Sequence, residues 1–300
     1  MKILASILLT ACLIGCTSAP KGELKIMSKP KVRILSGEST SVTLEAPWSD
    51  LEEYEYRYPE TIQSNLGLLY LDAATGLAKS DMITKRKGDP VWKTDEKTGA
   101  VSYRAELENG VVFGGSVTPE DGGTVACELF LENGSSVDLG NLITQLCLKF
   151  DKAPEFADPE LERTFVHSGG KLIRVNECRP HPSTQAPPPW PVYAVEGREP
   201  LVPGKHRWYV PAEVCDASFI STEAFDGGRH VAIAWENTWK VMSNTQGPCT
   251  HTDPVFPPCP SGETVRVRGR VYFFEGSLED LYKRCEADFG DKWRENLSLP

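Results

Sequence analysis

The sequence predicts an all-β fold, an antiparallel β-sandwich or supersandwich, with one amphipathic helix at its C-terminal end. Three observations predict it. Short runs of alternating apolar residues recur through 101–150, each followed by a turn signal. Gly (25) and Pro (23) punctuate the chain without making it low-complexity. Helical spacing of apolar residues is confined to the stretch 278–289. At 300 residues the chain suits one large β domain or two linked ones.

The elements follow in order. Residues 3–14 are apolar except for Ser6 and Thr10, behind the single charge of Lys2. Such a run spans about 18 Å as a helix, short of a bilayer core of about 30 Å, so 1–15 reads as a signal peptide. Residues 16–40 lack apolar periodicity and read as a spacer. The body, 41–300, opens with Val42 and Leu44 alternating against polar neighbours, then an apolar run at 66–71. Tyr103, Ala105 and Leu107 alternate toward Asn109-Gly110, a pair suited to a tight hairpin turn because both positions need positive φ. The return strand covers 111–117, the chain turns at 119–123, and Val125, Cys127, Leu129 and Leu131 share the next strand face. Asn133-Gly134 ends it, 142–150 is the next strand, and 164–175 forms a hairpin turning at Gly169-Gly170.

A break follows. Residues 178–203 hold eight prolines, a density incompatible with a helix or a central strand. This loop divides the body into 41–177 and 204–300, two packed halves. Beyond it, 206–210, 231–242 and 264–274 read as strands. Ser277 and Asp280 make a capping box, Leu278, Leu281, Tyr282, Cys285 and Phe289 fall on one helix face, and Gly290 is placed to end the helix in the left-handed conformation.

With 32 basic and 42 acidic residues the net charge is −10, which excludes nucleic acid as a partner for want of a cationic field. No Walker loop, Rossmann fingerprint, G-x-S-x-G or H-E-x-x-H occurs, so no catalytic residue and no cofactor is called for. Nine cysteines are present; Cys12 leaves with the signal and Cys16 stands apart, leaving Cys127, Cys147, Cys178, Cys215, Cys249, Cys259 and Cys285. None has C-x-x-C spacing. Cys249 and Cys259 enclose a short Pro-rich loop and are the candidate disulfide, worth about 2–3 kcal/mol from loop closure.

Two clusters are candidate sites. Cys249, His251 and Asp253 point the same way in extended chain and carry metal-ligating chemistry, but match no established metal spacing. Disulfide and metal compete for Cys249, and the bridge is favoured, with no metal expected and His251 and Asp253 the residual ligand candidates. Trp235, Glu236, Asn237 and Trp239 form the candidate ligand site: aromatic faces stack on pyranose CH groups, and the amide and carboxyl groups take hydroxyls. The competing view is two core tryptophans.

Leu13-Ile14-Gly15-Cys16 resembles the bacterial lipobox. That resemblance implies cleavage before Cys16, diacylglycerol on its thiol and acylation of the new N-terminus. Three chains (palmitate-like) would hold the protein to a membrane, where one chain holds weakly. Thr17, in place of an aspartate, implies outer-membrane delivery in a cell with two membranes. The segments "AWENTWKVMSN", "PCTHTDPVFPPCPSGETVRVRGRVYFFEG", "ELFLENGSS" and "ERTFVHSGGKLIRV" resemble uncharacterised secreted proteins of planctomycete-type bacteria, a family without an assigned activity. A second resemblance, in length and in Asn-Gly turns after paired strands, is to mutarotase-like supersandwiches, whose chemistry needs a histidine acid and a carboxylate base. After Leu142 this chain offers Gln145 and Cys147 and no histidine until His167, a departure from that pattern. The expectation is an envelope lipoprotein that meets the membrane only through its lipid and binds carbohydrate without catalysis; a sugar-active enzyme and a structural envelope protein are the alternatives.

Overall fold

Strand alternation needs two apolar faces turned toward each other, and the chain provides them as two sheets. A computed structural model of the protein describes residues 32–36, 39–48, 52–72, 82–177, 192–195, 213–244 and 247–293. The signal segment 1–15, Cys16, Cys178, the strand expected at 206–210 and all of 178–203 except 192–195 lie outside the described residues.

Among the described residues each sheet has nine strands. The first runs β1 (Arg33–Ser36), β2 (Ser41–Glu45), β3 (Glu53–Ser64), β9 (Ile143–Lys149), β17 (Cys249–Pro254), β16 (Thr238–Asn244), β12 (Val192–Val195) and β13 (Glu213–Cys215), with β4 (Gly67–Leu71) also paired to β3. The second runs β11 (Lys171–Arg174), β10 (Thr164–Ser168), β14 (Phe219–Glu223), β15 (Arg229–Trp235), β18 (Thr264–Glu275), β8 (Thr124–Asn133), β7 (Val111–Glu120), β6 (Ala100–Glu106) and β5 (Val91–Asp95). Named strands pair antiparallel except β12 with β13. The fold is the all-β class with a terminal helix that the sequence predicts.

Both sheets interleave strands from before and after the proline-rich stretch: β9 pairs β17, and β8 pairs β18. The segments 41–177 and 204–300 therefore share both sheets and one core. Two further boundaries differ from expectation. Residues 33–36 of the supposed spacer form β1, with Ile34 opposite Leu44, because Val32 and Ile34 can join the core. Residues 192–195 of the proline-rich stretch form β12, between prolines at 191 and 200.

Inward-facing residues make a largely aromatic core. Tyr54, Tyr56 and Tyr58 alternate along β3 and are fully enclosed with Trp235, Phe113, Phe156 and Phe273. Close approach requires glycine twice here. A Cβ on Gly269, the cross-strand partner of Trp235, would sit 2.2 Å from the indole, and one on Gly115 would sit 2.2 Å from the Tyr58 ring.

The outer face of the second sheet is half covered. Helix α1 (Leu278–Trp293) starts at the predicted capping box: the Asp280 N–H donates to Ser277 Oγ at 3.1 Å, and Ser277 Oγ donates to the Asp280 carboxylate at 2.8 Å. Leu281, Cys285, Phe289 and Trp293 are buried against Ala217 and Phe219 near β14, Ala232 and Ala234 of β15, and Tyr272 of β18. Gly290 does not end the helix, which continues to Trp293, because burying that indole extends the apolar stripe by one more turn. No helix among the described residues is long and apolar enough to cross a membrane.

Candidate functional site

Two regions gather polar chemistry on the faces turned away from the shared core. The first lies across the middle of the first sheet. Cys249 pairs with Lys149, Val255 with Ile143 and Cys259 with Leu139, one antiparallel register from end to end. This register sets His251 opposite Cys147, and cross-strand partners share a face. Arg57 of β3 lies beside Cys147, and Met242 of β16 beside His251, so the row Arg57, Cys147, His251, Met242 crosses four strands. Cys249, His251 and Asp253 do share a face, as the extended chain predicts, and all three are buried.

Cys249 Sγ lies 3.2 Å from His251 Nε2. The Cys147 thiol donating to Cys249, together with the His251 charge, pushes the Cys249 thiol down against the opposing effect of burial. The same hydrogen bond and burial push Cys147 up. Burial disfavours a charged His251, but the neighbouring Cys249 outweighs it and raises the imidazole. Each of the two groups thus favours charge on the other. Asp253 Oδ1 accepts from the Leu146 N–H at 2.9 Å, and Asp253 Oδ2 lies 3.0 Å from Lys240 Nζ. Burial lowers Lys240 and Asp253 opposes that shift. Burial raises Glu60, whose carboxylate accepts from Arg57 Nη1 at 3.1 Å and whose charge acts on His251 and Cys249.

The register corrects the Cys249–Cys259 disulfide. Both are free thiols, as are the other four described cysteines. The chain from 249 to 259 runs extended beside 149 to 139, and at about 3.3 Å per residue its ends stand ~30 Å apart, against at most about 7 Å between bridged Cα atoms. The prolines keep the segment straight.

The tryptophan platform is also corrected. Residues 235–239 are not one strand: β15 ends at Trp235, the chain reverses through Glu236 and Asn237 (φ 53°), and β16 begins at Thr238 in the other sheet. Trp235 is 0% exposed in the core and donates from Nε1 to Tyr56 Oη at 3.0 Å. Trp239 packs separately with Ile143 and Val255. Glu236 Oε1 accepts the Arg268 N–H at 2.7 Å, holding the turn against β18.

The second region is a groove of about 590 Å³ on the outer face of the second sheet, over β5 to β8 and beside the part that α1 covers. Two cross-strand rows build it. One is Lys93, Ser102, Ser116, Glu128, Arg268; the other is Val91, Arg104, Gly114, Phe130, Arg266. Small residues on β7, with Ser102 on β6, lower the middle, and long side chains raise both rims. Arg104 holds Glu132 through two hydrogen bonds of 2.7 Å, and its guanidinium lies 5.9 Å from the Phe130 ring centre. Arg266 donates to Glu128 at 2.6 Å and lies 5.4 Å from the same ring. These pairs fix the groove's polar groups before any ligand arrives.

Sequence reasoning missed Cys147 and the whole groove. Cys147 sat visibly within the 142–150 strand, but its partner is about a hundred residues away and only the register joins them. The groove did leave a signal: the polar positions 102, 104, 116 and 128 alternate with the apolar positions used to predict the strands.

No family model matches the chain, and no curated protein matches it. Among solved structures it is similar to a Klebsiella pneumoniae protein provisionally assigned as an aldose 1-epimerase, with 9% identity and a TM-score of 0.36 over 66% of this chain. The match spans 56% of that protein's length. A protein of Salmonella typhimurium provisionally assigned as a mutarotase is similar at 11% identity and a TM-score of 0.33, over 81% of this chain and 97% of that one. At these values the likeness assigns neither activity nor ligand to this chain.

Proposed function

We propose that this protein is a lipid-anchored envelope protein, attached through Cys16, that binds a neutral, hydroxyl-rich carbohydrate in the groove over β5 to β8. The observation that carries the reading is the groove's make-up. Phe130 gives an apolar patch at its base, flanked by Ser102, Ser116, Glu128, Arg104 and Arg266. That is the mixture a sugar needs: one surface for CH groups and many donors and acceptors around it. The lining has four cations (Lys87, Lys93, Arg104, Arg266) and three acids (Asp89, Glu106, Glu128). This near-balance favours an uncharged polar ligand over a polyanion. The lipobox at 13–16 supports the anchor.

The test is affinity electrophoresis of the purified protein through gels containing neutral polysaccharides, backed by a glycan array. Retardation by at least one neutral glycan is expected. Phe130→Ala should weaken it about tenfold, consistent with losing roughly 1–2 kcal/mol of ring contact. Ser116→Arg should plug the groove and abolish it. Binding to no glycan, or binding untouched by both substitutions, would remove the carbohydrate reading.

A further inference from the structure

We propose that Cys147, Cys249 and His251 form a site for one zinc-class divalent ion on the outer face of the first sheet, away from the carbohydrate groove and independent of it. The two Sγ atoms and one imidazole nitrogen lie within 4.8 Å of one another, and all three side chains are buried. Around a tetrahedral ion with Zn–S about 2.3 Å and Zn–N about 2.0 Å, donor atoms stand roughly 3.5–3.8 Å apart. Small side-chain rotations bring these three onto such an ion.

The competing structure is a Cys147–Cys249 disulfide, and the register disfavours it. His251 is the residue directly opposite Cys147, which makes Cys249 a diagonal neighbour. Diagonal Cα atoms in an antiparallel pair stand about 7–8 Å apart, beyond the usual upper span of about 6.8 Å for a disulfide. A metal ion bridges a gap that a sulfur–sulfur bond does not.

The surroundings match a metal site in two further ways. His251 turns Nε2 toward the sulfurs, while Nδ1 has no hydrogen-bond partner among the described residues and lies 3.9 Å from Asp253 Oδ1. Asp253 is itself held by the Leu146 N–H and Lys240. A carboxylate behind the second imidazole nitrogen is the arrangement that orients a ligating histidine. The charges also close. Glu60 is paired with Arg57 and Asp253 with Lys240. Two thiolates, a neutral imidazole and a dication then add no net charge to a buried site. On binding, two protons leave to solvent, one from the Cys147 thiol and one from the Cys249–His251 pair, as two S–metal bonds and one N–metal bond form.

Two thiolates and an imidazole select a borderline or soft ion over magnesium or calcium. Three protein donors leave the fourth tetrahedral position open, and the charge of the Glu60 carboxylate acts on Cys249 and His251. Since the site is enclosed, the ion enters as the chain folds. It then ties β9 to β17, strands from either side of the proline-rich stretch.

The test uses the full chain, purified from membranes in detergent and kept reduced. Native mass spectrometry of the chain unfolded and then refolded with Zn²⁺ should show one ion per chain, with a mass gain equal to zinc less two protons. With Co²⁺ in its place, an intense thiolate-to-cobalt charge-transfer band should appear. Cys147→Ser and Cys249→Ser should each remove most of it and His251→Gln should shift it, while Cys127→Ser and Cys285→Ser leave it unchanged. The wild-type mass measurement needs no variant to fold. Absence of stoichiometric zinc in the wild type, a cobalt band indifferent to Cys147→Ser and His251→Gln, or isolation, in a parallel preparation without reductant, of the chain with Cys147 and Cys249 disulfide-linked would overturn the proposal.

Discussion

Lys240→Met removes an ammonium and keeps most of the side chain's volume. Lys240 Nζ stands 3.0 Å from Asp253 Oδ2, and the two side chains are 1% and 0% exposed. Deleting one member of such a pair leaves a buried charge without its counterion, which costs about 3–5 kcal/mol. Asp253 keeps the Leu146 N–H on its other oxygen, and His251 lies 3.9 Å away to share its charge. Both place the expected loss at the low end, about 3 kcal/mol. Adding Asp253→Asn should recover much of it: the amide oxygen still accepts from Leu146, and no charge remains to be paired. The coupling energy of the cycle should reach about 2 kcal/mol. Urea unfolding followed by tryptophan fluorescence, in the presence of a chelator so that metal linkage does not enter, gives the midpoints at a shared m-value. A Lys240→Met variant within about 1 kcal/mol of wild type, or a double variant as unstable as the sum of the singles, would refute the reasoning that this pair is desolvated and coupled.

Leu281→Ala, which opens a cavity between α1 and the second sheet where Leu281 is 0% exposed, should cost about 2–5 kcal/mol in the same assay. Burial pushes the Asp216 carboxyl up, but the Gly170 N–H and His167 outweigh it and hold it below its usual range. A depressed carboxylate gives stability that is present above its unfolded pKa of about 3.9 and is lost as pH falls through the folded value. Asp216→Asn should therefore lower stability at neutral pH, by less than about 1 kcal/mol for a pair still partly open to solvent, flatten the acid limb of the stability–pH curve and converge with wild type at low pH. Cys16→Ala should block lipid attachment, leaving the precursor uncut and unlabelled by radioactive palmitate.

The sequence made most strands legible because their alternation is local. The alternation of Val42 and Leu44 falls within β2, and the Asn109-Gly110 and Gly169-Gly170 turns fall between β6 and β7 and between β10 and β11. The missed long strand β3 carries the same signal in Tyr54, Tyr56 and Tyr58 and continues past Pro59 with a shift of register against β9. Trp235 and Trp239 misled because spacing within one strand was assumed, while Asn237 takes the positive φ that reverses the chain between them. Cys249, His251 and Asp253 were placed on one face by local geometry alone. Their partners Cys147, Glu60 and Lys240 come from three other strands, and the pairing of distant strands is not written in any local window. The groove over Phe130 escaped for the same reason, since its side chains come from five different strands.

Amide hydrogen exchange of the full chain, with and without the neutral glycan that binds best, tests most directly whether the groove is the binding site. Strand β5 is an edge strand of the second sheet among the described residues and forms one rim of the groove with Lys87 and Asp89, so its amides are the ones a bound ligand would shield. Slowed exchange across 87–95, lost in Ser116→Arg, is the predicted result. Protection confined to 235–239, or to the face bearing His251, with 87–95 unchanged, would contradict it.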